Sequence, residues 1–187
     1  MTRNFGKLRH VGIPEDSQAR FLRYCHEIRT MTDLLETNPA LAKLRAFQPE
    51  AVQEASIFRN EVTLRIRKDL IRAVCEFLRD DPDLSFKYLS DVTALDRYPS
   101  EPRFEVVYHL RSLPSGECLR LKARLEEANP HIDSVTPLWP SANAFEREVF
   151  DLFGIHFDGH PDLRRLLLPE DWEGHPLRKD YPTTGYR

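Results

Sequence analysis

Gly159, Pro161, Pro169, Gly174, Pro176 and Pro182 punctuate the last part of the chain, and no helix or strand pair can run through them. Residues 155–187 show no sustained periodicity beyond the short stretch Leu163–Leu168. Structureless loops longer than about 12–15 residues are functional or disordered. The composition argues against disorder, because Phe153, Ile155, Phe157, Leu163, Leu166, Leu167, Leu168, Trp172 and Tyr181 are groups that disordered tails lack. Fixing about 30 backbone units costs on the order of 30–60 kcal/mol, which an irregular strip cannot offset by folding on itself. The segment is expected to be ordered against a surface, partly its own domain and partly a companion protein.

Upstream, the pattern is regular. Phe21, Cys25, Ile28 and Leu35 form a helical stripe between about Pro14 and Thr37. Asn38-Pro39 reads as an N-cap with proline in the first turn of a short helix carrying Leu41, Leu44 and Phe47. Val62, Leu64 and Ile66 alternate with Thr63, Arg65 and Arg67 as in a half-buried strand, to which 51–58 pairs through Arg59-Asn60. Leu70, Ile71, Val74, Cys75 and Leu78 line a helix ending before Asp81-Pro82. Three further strands follow: Phe86–Leu95; one with Phe104, Val106, Tyr108 and Leu110 inward; and one with Leu119, Leu121, Ala123 and Leu125 inward, joined to the second by Pro-Ser-Gly at 114–116. Asn143 and Glu146 have capping-box spacing in a last helix over 140–153, which Gly154 ends.

This order predicts an α+β fold: a two-layer domain with a mixed, mostly antiparallel sheet of about five strands, helices on one face, and an extended irregular C-terminal segment. The expected division is a tail and amphipathic helix over 1–37, the α+β domain over 38–153, and a partner-binding segment over 154–187.

Composition narrows the function. Against 30 acidic residues stand 27 basic ones, a net charge of -3 without the basic excess of a nucleic-acid binder. No apolar run approaches the ~18–20 residues that span a bilayer, and the first ten residues lack a secretory signal, although Arg3, Lys7 and Arg9 fit an organelle-targeting segment as an alternative. Cys25, Cys75 and Cys118 are scattered, with no C-x-x-C spacing for an iron–sulfur cluster or zinc, and fit free, mostly buried thiols.

The run Glu146-Arg-Glu-Val-Phe-Asp-Leu-Phe-Gly-Ile155, then Gly159-His-Pro-Asp-Leu-Arg-Arg-Leu-Leu-Leu-Pro169, then Gly174-His-Pro-Leu-Arg-Lys-Asp-Tyr-Pro182, with Trp139 and Ser141-Ala-Asn143 upstream, resembles the C subunit of NADH-quinone oxidoreductase. That family supplies a hydrophilic-arm subunit of respiratory complex I. The resemblance implies a non-catalytic scaffold with no cofactor of its own; flavin, iron–sulfur clusters and quinone belong to partner subunits. It also implies partners, namely the quinone-cavity subunit and the iron–sulfur subunits. The whole complex passes electrons from NADH to quinone (ubiquinone in some members) and translocates protons. The chain would then lie peripherally at the cytoplasmic face of the bacterial plasma membrane, touching the membrane only through its partners, with no nucleic acid involved. The equivalent subunit of a membrane-bound hydrogenase or of a ferredoxin-dependent complex fits the same residues. So does an assembly or regulatory binding module.

The expected interface residues are Glu146, Arg147, Glu148, Asp151, His160, Arg164, Arg165, Trp172, His175, Arg178, Lys179, Asp180 and Tyr181. The reading from another class is a freestanding metal-dependent hydrolase using Glu146, Glu148 and Asp151 with His156, His160 and His175. Glycines and prolines between those histidines disfavour a helical metal site, and no Glu-x-x-His pattern supports one. Arg164, Arg165, Arg178 and Lys179 could grip an anionic headgroup, but Asp158, Asp162, Glu170, Asp171, Glu173 and Asp180 make the local balance acidic. Charge pairs that fix the segment's path fit better. Trp139 and Trp172 are apolar anchors, although core packing alone would explain Trp139.

Overall fold

The computed structural model describes residues 34–185. The expected helix over 15–36 lies outside them apart from 34–36, which are helical, and Cys25 lies outside them too.

Helix α1, Pro39–Phe47, starts as expected: the Asn38 side chain accepts the Leu41 N–H at 3.0 Å and Pro39 occupies the first turn. Strands β1 (Val52–Phe58) and β2 (Glu61–Ile66) form a hairpin whose turn residues Arg59 and Asn60 both have positive φ, 50° and 65°. A 3-10 turn, Lys68–Leu70, leads into α2, Ile71–Asp80, which buries Ile71, Val74, Cys75 and Leu78. Strands β3 (Tyr88–Asp96), β4 (Phe104–Arg111) and β5 (Cys118–Leu125) form an antiparallel meander, with Gly116 supplying φ 73° in the last turn.

The sheet order is β1-β2-β5-β4-β3, and β2 and β5 run parallel at its centre, which makes the sheet mixed. Strand alternation sends Leu64, Ile66, Val106, Tyr108, Leu121 and Ala123 to one face, where they meet Leu41 and Leu44 of α1 and Val74 and Leu78 of α2 in a single core. Helix α3, Ala142–Phe153, adds Val149 and Phe153 to that core and packs against β3. Burying each such side chain is worth roughly 1.5–3 kcal/mol, so this layer holds the fold together. Trp139, 4% exposed, belongs to it and donates its indole N–H to the Lys87 carbonyl at 3.2 Å.

The core runs past residue 153. Ile155 and Phe157, both fully buried, lie in and beside β7 (His156–Asp158), which pairs in parallel with β6 (His131–Asp133). Three-residue strands of this kind leave no periodic trace in a sequence. Cys75 is buried as expected, whereas Cys118 is exposed at the start of β5.

Candidate functional site: the C-terminal strap

Helix α3 ends at Gly154, whose φ of 72° is the left-handed conformation that stops a helix, and the Gly154 N–H returns to the Phe150 carbonyl. That leaves the last carbonyls of α3 without intrahelical partners. The strap provides them. Asp151 O accepts from Arg165 at 3.3 Å and from His175 Nδ1–H at 2.9 Å, Leu152 O accepts the Leu177 N–H at 3.1 Å, and Phe153 O accepts Arg178 Nε–H at 2.6 Å. Two guanidinium groups and an imidazole therefore converge on the negative end of the helix dipole. Burial lowers the pKa of His175 and also that of Arg178.

The Asp151 side chain adds a second tie. It is fully buried, and its Oδ2 accepts the N–H groups of Leu166, Leu167 and Leu168 at 3.0, 2.8 and 2.9 Å while Oδ1 faces Arg165 at 2.7 Å. Burial pushes this carboxyl upward, but the Leu168 N–H, Arg165 and the two further N–H groups outweigh it and hold it below the usual range. Arg165 also donates to the carbonyls of Trp172 and Gly174, and Arg147 to those of Arg164 and Arg165.

Further along, Asp180 meets a knot that sequence reading missed. Arg103, 1% exposed, gives Nε–H and Nη2–H to Asp96 at 3.0 and 2.8 Å, reaches Asp180 at 3.0 Å, and also pairs with Glu127. Asp96 in turn accepts the Lys179 N–H at 2.8 Å. Burial raises the Asp96 pKa, but Arg103 and the N–H groups of Lys179 and Tyr98 more than reverse this and bring it to about 2. Both Arg103 and Arg178 lie over the Phe104 ring, 5.0 and 5.1 Å from its centroid.

Two of the expected interface residues are turned inward in this chain. Glu146 and Asp151 are both 0% exposed, because their carboxylates are used inside the chain. Glu146 makes no capping box either: α3 begins at Ala142 after Ser141, and the Glu146 carboxyl accepts from Ser134 Oγ at 2.6 Å and Val135 N at 2.7 Å. The remaining expected residues lie along α3 and the strap. Glu148, Arg164, Lys179 and Asp180 are exposed; Arg147, His160, Arg165, Trp172, His175, Arg178 and Tyr181 are half-buried.

Several of these have partners inside the chain. His160 donates Nε2–H to the Asn143 carbonyl and accepts the Asp162 N–H on Nδ1, which fixes one neutral tautomer. Arg164 pairs with Asp162 at 3.0 Å, and Tyr181 O–H donates to the Glu173 carbonyl. The indole N–H of Trp172 is buried without a hydrogen-bond partner among the described residues. The strap also leaves Leu166, Leu167 and Leu177 39%, 60% and 50% exposed.

The hydrolase arrangement is not assembled. Glu146 faces Ser134, Asp151 faces the strap backbone, Glu148 faces solvent, and His156 binds Asp158 at 3.1 Å. Among the described residues no three His, Cys, Asp or Glu side chains come together as a metal site. None of the described helices is long and apolar enough to cross a membrane. What the geometry can do is present apolar side chains on an irregular backbone that is tied down on both sides.

Residues 64–187 match the family described as the respiratory-chain NADH dehydrogenase, 30 Kd subunit. The chain is 49% identical over 148 residues to the NADH-quinone oxidoreductase C subunit of Roseiflexus sp. (strain RS-1), covering 79% of this chain and 85% of that protein. Among solved structures, a trypsin-resistant fragment of Nqo5 superposes with a TM-score of 0.57 at 32% identity, covering 66% of this chain and 99% of the fragment. A chain of the membrane-bound sulfane sulfur reductase, an archaeal respiratory membrane complex, superposes with a TM-score of 0.64 at 26% identity, covering 76% of this chain and 84% of its own.

Proposed function

Since the chain belongs to the 30 kDa subunit family of respiratory-chain NADH dehydrogenases, whose bacterial members are the C subunits of NADH-quinone oxidoreductase, we propose that it works as a scaffold inside such a complex and performs no redox step itself. It holds the quinone-site subunit and the iron–sulfur subunits of the peripheral arm in fixed relation while electrons pass from NADH to quinone. Flavin, clusters and quinone sit on those partners. The chain lies at the cytoplasmic face of the bacterial plasma membrane, attached through its neighbours.

The observation that carries this reading is the strap. Leu166, Leu167 and Leu177 stay exposed on a backbone anchored by Asp151 and Arg103, so docking there costs little ordering entropy. Trp172, half-buried in the same segment, is the aromatic side chain suited to act as an apolar anchor there.

The test is affinity purification of the tagged chain from native membranes, with the associated chains identified. Wild type is expected to bring the quinone-site and iron–sulfur subunits in equal amounts, and Trp172→Ala or Leu167→Asp to lose them while the lone domain keeps its thermal midpoint. Unchanged stoichiometry in both variants would remove the strap from the interface. The likeness to the sulfane sulfur reductase chain favours one second reading, the equivalent position in a related respiratory membrane complex. The identity of the co-purified electron-input subunits separates the two.

A further inference from the structure

The core occupies one face of the five-stranded sheet, and the opposite face is uncovered among the described residues. Two ion pairs on it are balanced one to one, Arg65 with Glu54 and Arg120 with Glu61. Its centre is not balanced. Glu105 is 1% exposed although it points to this outer face, and three cations share it: Lys122 at 3.1 Å, Arg124 at 3.5 Å and Arg97 at 3.8 Å. One carboxylate cannot neutralise three cations. Two positive charges remain, in a chain whose net charge is -3.

Cross-strand register sets apolar groups beside them. Leu95, Glu105 and Arg124 form one row across β3, β4 and β5, and Val107 and Lys122 pair in the next. Leu95 is 46% exposed. The side chains of Lys122 and Arg124 are 25% and 28% exposed, so their stems lie along the sheet and part of their rotamer entropy is already lost.

We propose that this sheet face seats an acidic surface of a partner protein, with partner carboxylates on Lys122, Arg124 and Arg97 and a partner apolar group over Leu95. Charge selects that occupant over the alternatives. A second copy would set Lys122 and Arg124 against their own kind. Residues 1–33 carry six basic and four acidic side chains, so they do not complement the patch either. A polyanion such as DNA would also have to approach Glu54 and Glu61, each of which holds one cation of the face in a pair. The inference rests on the chain working within an assembly, as proposed above, but on no contact of the strap.

The test is purification of the native complex through the tagged chain, comparing wild type with Arg97→Glu/Arg124→Glu. A second variant, Glu105→Gln/Lys122→Gln/Arg124→Gln, removes two of the three cations without stranding a buried carboxylate, and its thermal midpoint checks the fold. Both are expected to lose at least tenfold of one acidic partner subunit while strap-dependent partners stay. Wild type should lose the same subunit as salt is raised from about 50 to about 500 mM. A full complement of subunits in both variants would overturn the proposal alone. So would loss of duplex DNA or of phosphatidylserine vesicles in place of a protein, or conversion of a wild-type dimer to monomer. Absence of any partner from wild type would overturn this proposal and the scaffold reading together.

Discussion

Arg165 meets Asp151 twice, its guanidinium lying 2.7 Å from the carboxylate and 3.3 Å from the carbonyl of the same residue. Because Asp151 Oδ2 also takes three consecutive strap N–H groups, one buried side chain sets the path of Leu166–Leu168. Asp151→Asn keeps the shape but turns an amide N–H₂ toward donors. Breaking a buried pair costs about 3–5 kcal/mol. The expected result is a stability loss of that order by denaturant titration, with loss of hydrogen-exchange protection at Leu166–Leu168. Retained protection would show that apolar contacts, not this carboxylate, hold the strap.

Gly154 makes the companion prediction. A Cβ at this position would lie 2.5 Å from the His175 ring and 2.6 Å from Arg178 Nη2, on a backbone with φ of 72°. Gly154→Ala should therefore cost more than the roughly 1–2 kcal/mol of left-handed strain alone, because His175 and Arg178 must leave the carbonyls of Asp151 and Phe153. Thermal denaturation measures the loss. Exchange of the Leu177 amide, bonded to Leu152 O, reports whether the strap has lifted.

Much of this was legible beforehand because it is periodic. Alternation at Val62–Ile66 and Leu119–Leu125, the turn at Arg59-Asn60 and the stop at Gly154 are local features that neighbouring residues dictate. The two knots are not local. Arg103 finds its partners 7, 24 and 77 positions away, so as one arginine after a proline it gives no sign of being buried. Glu146 and Asp151 look like surface acids because a helix reports which face a residue occupies, not what an irregular segment later lays against it. The residues that mark the strap in sequence, its glycines and prolines, say only that it is irregular. Its order comes from satisfying the end of α3.

The Arg103 knot should respond asymmetrically to mutation. Arg103→Leu leaves Asp96, 2% exposed in its side chain, as an unpaired buried carboxylate and should cost about 3–5 kcal/mol. Asp180 is 45% exposed, so Asp180→Ala should cost less than about 1 kcal/mol. Even so, it should free the strap end, seen as faster proteolysis near Arg178 and Lys179 at unchanged melting temperature. The Asp96 carboxyl, held at about 2 against an ordinary value of 3.8, favours folding above pH 3.8, and that contribution is lost as pH falls toward 2. Equal losses from both substitutions would mean that strap and sheet unfold as one unit.

Glu146 has the opposite sign. Its carboxyl is fully buried, no cation pairs with it among the described residues, and Tyr108 and Cys75 are titratable groups beside it. Burial lifts it to about 7, against the opposing hydrogen bonds from Ser134 and Val135. The unfolded chain releases this proton near 4.5, so between 4.5 and 7 the native state binds more protons and stability falls as pH rises, by about 3 kcal/mol in total. Glu146→Gln removes the titration and keeps an acceptor for the Val135 N–H. The variant should match or exceed wild type at about pH 8, fall below it at about pH 5, and show a flatter profile between. Denaturant titrations at half-unit steps across that range decide it. If the slope persists in the glutamine variant, the proton is taken up elsewhere, and the buried carboxyl is ionised across the whole range.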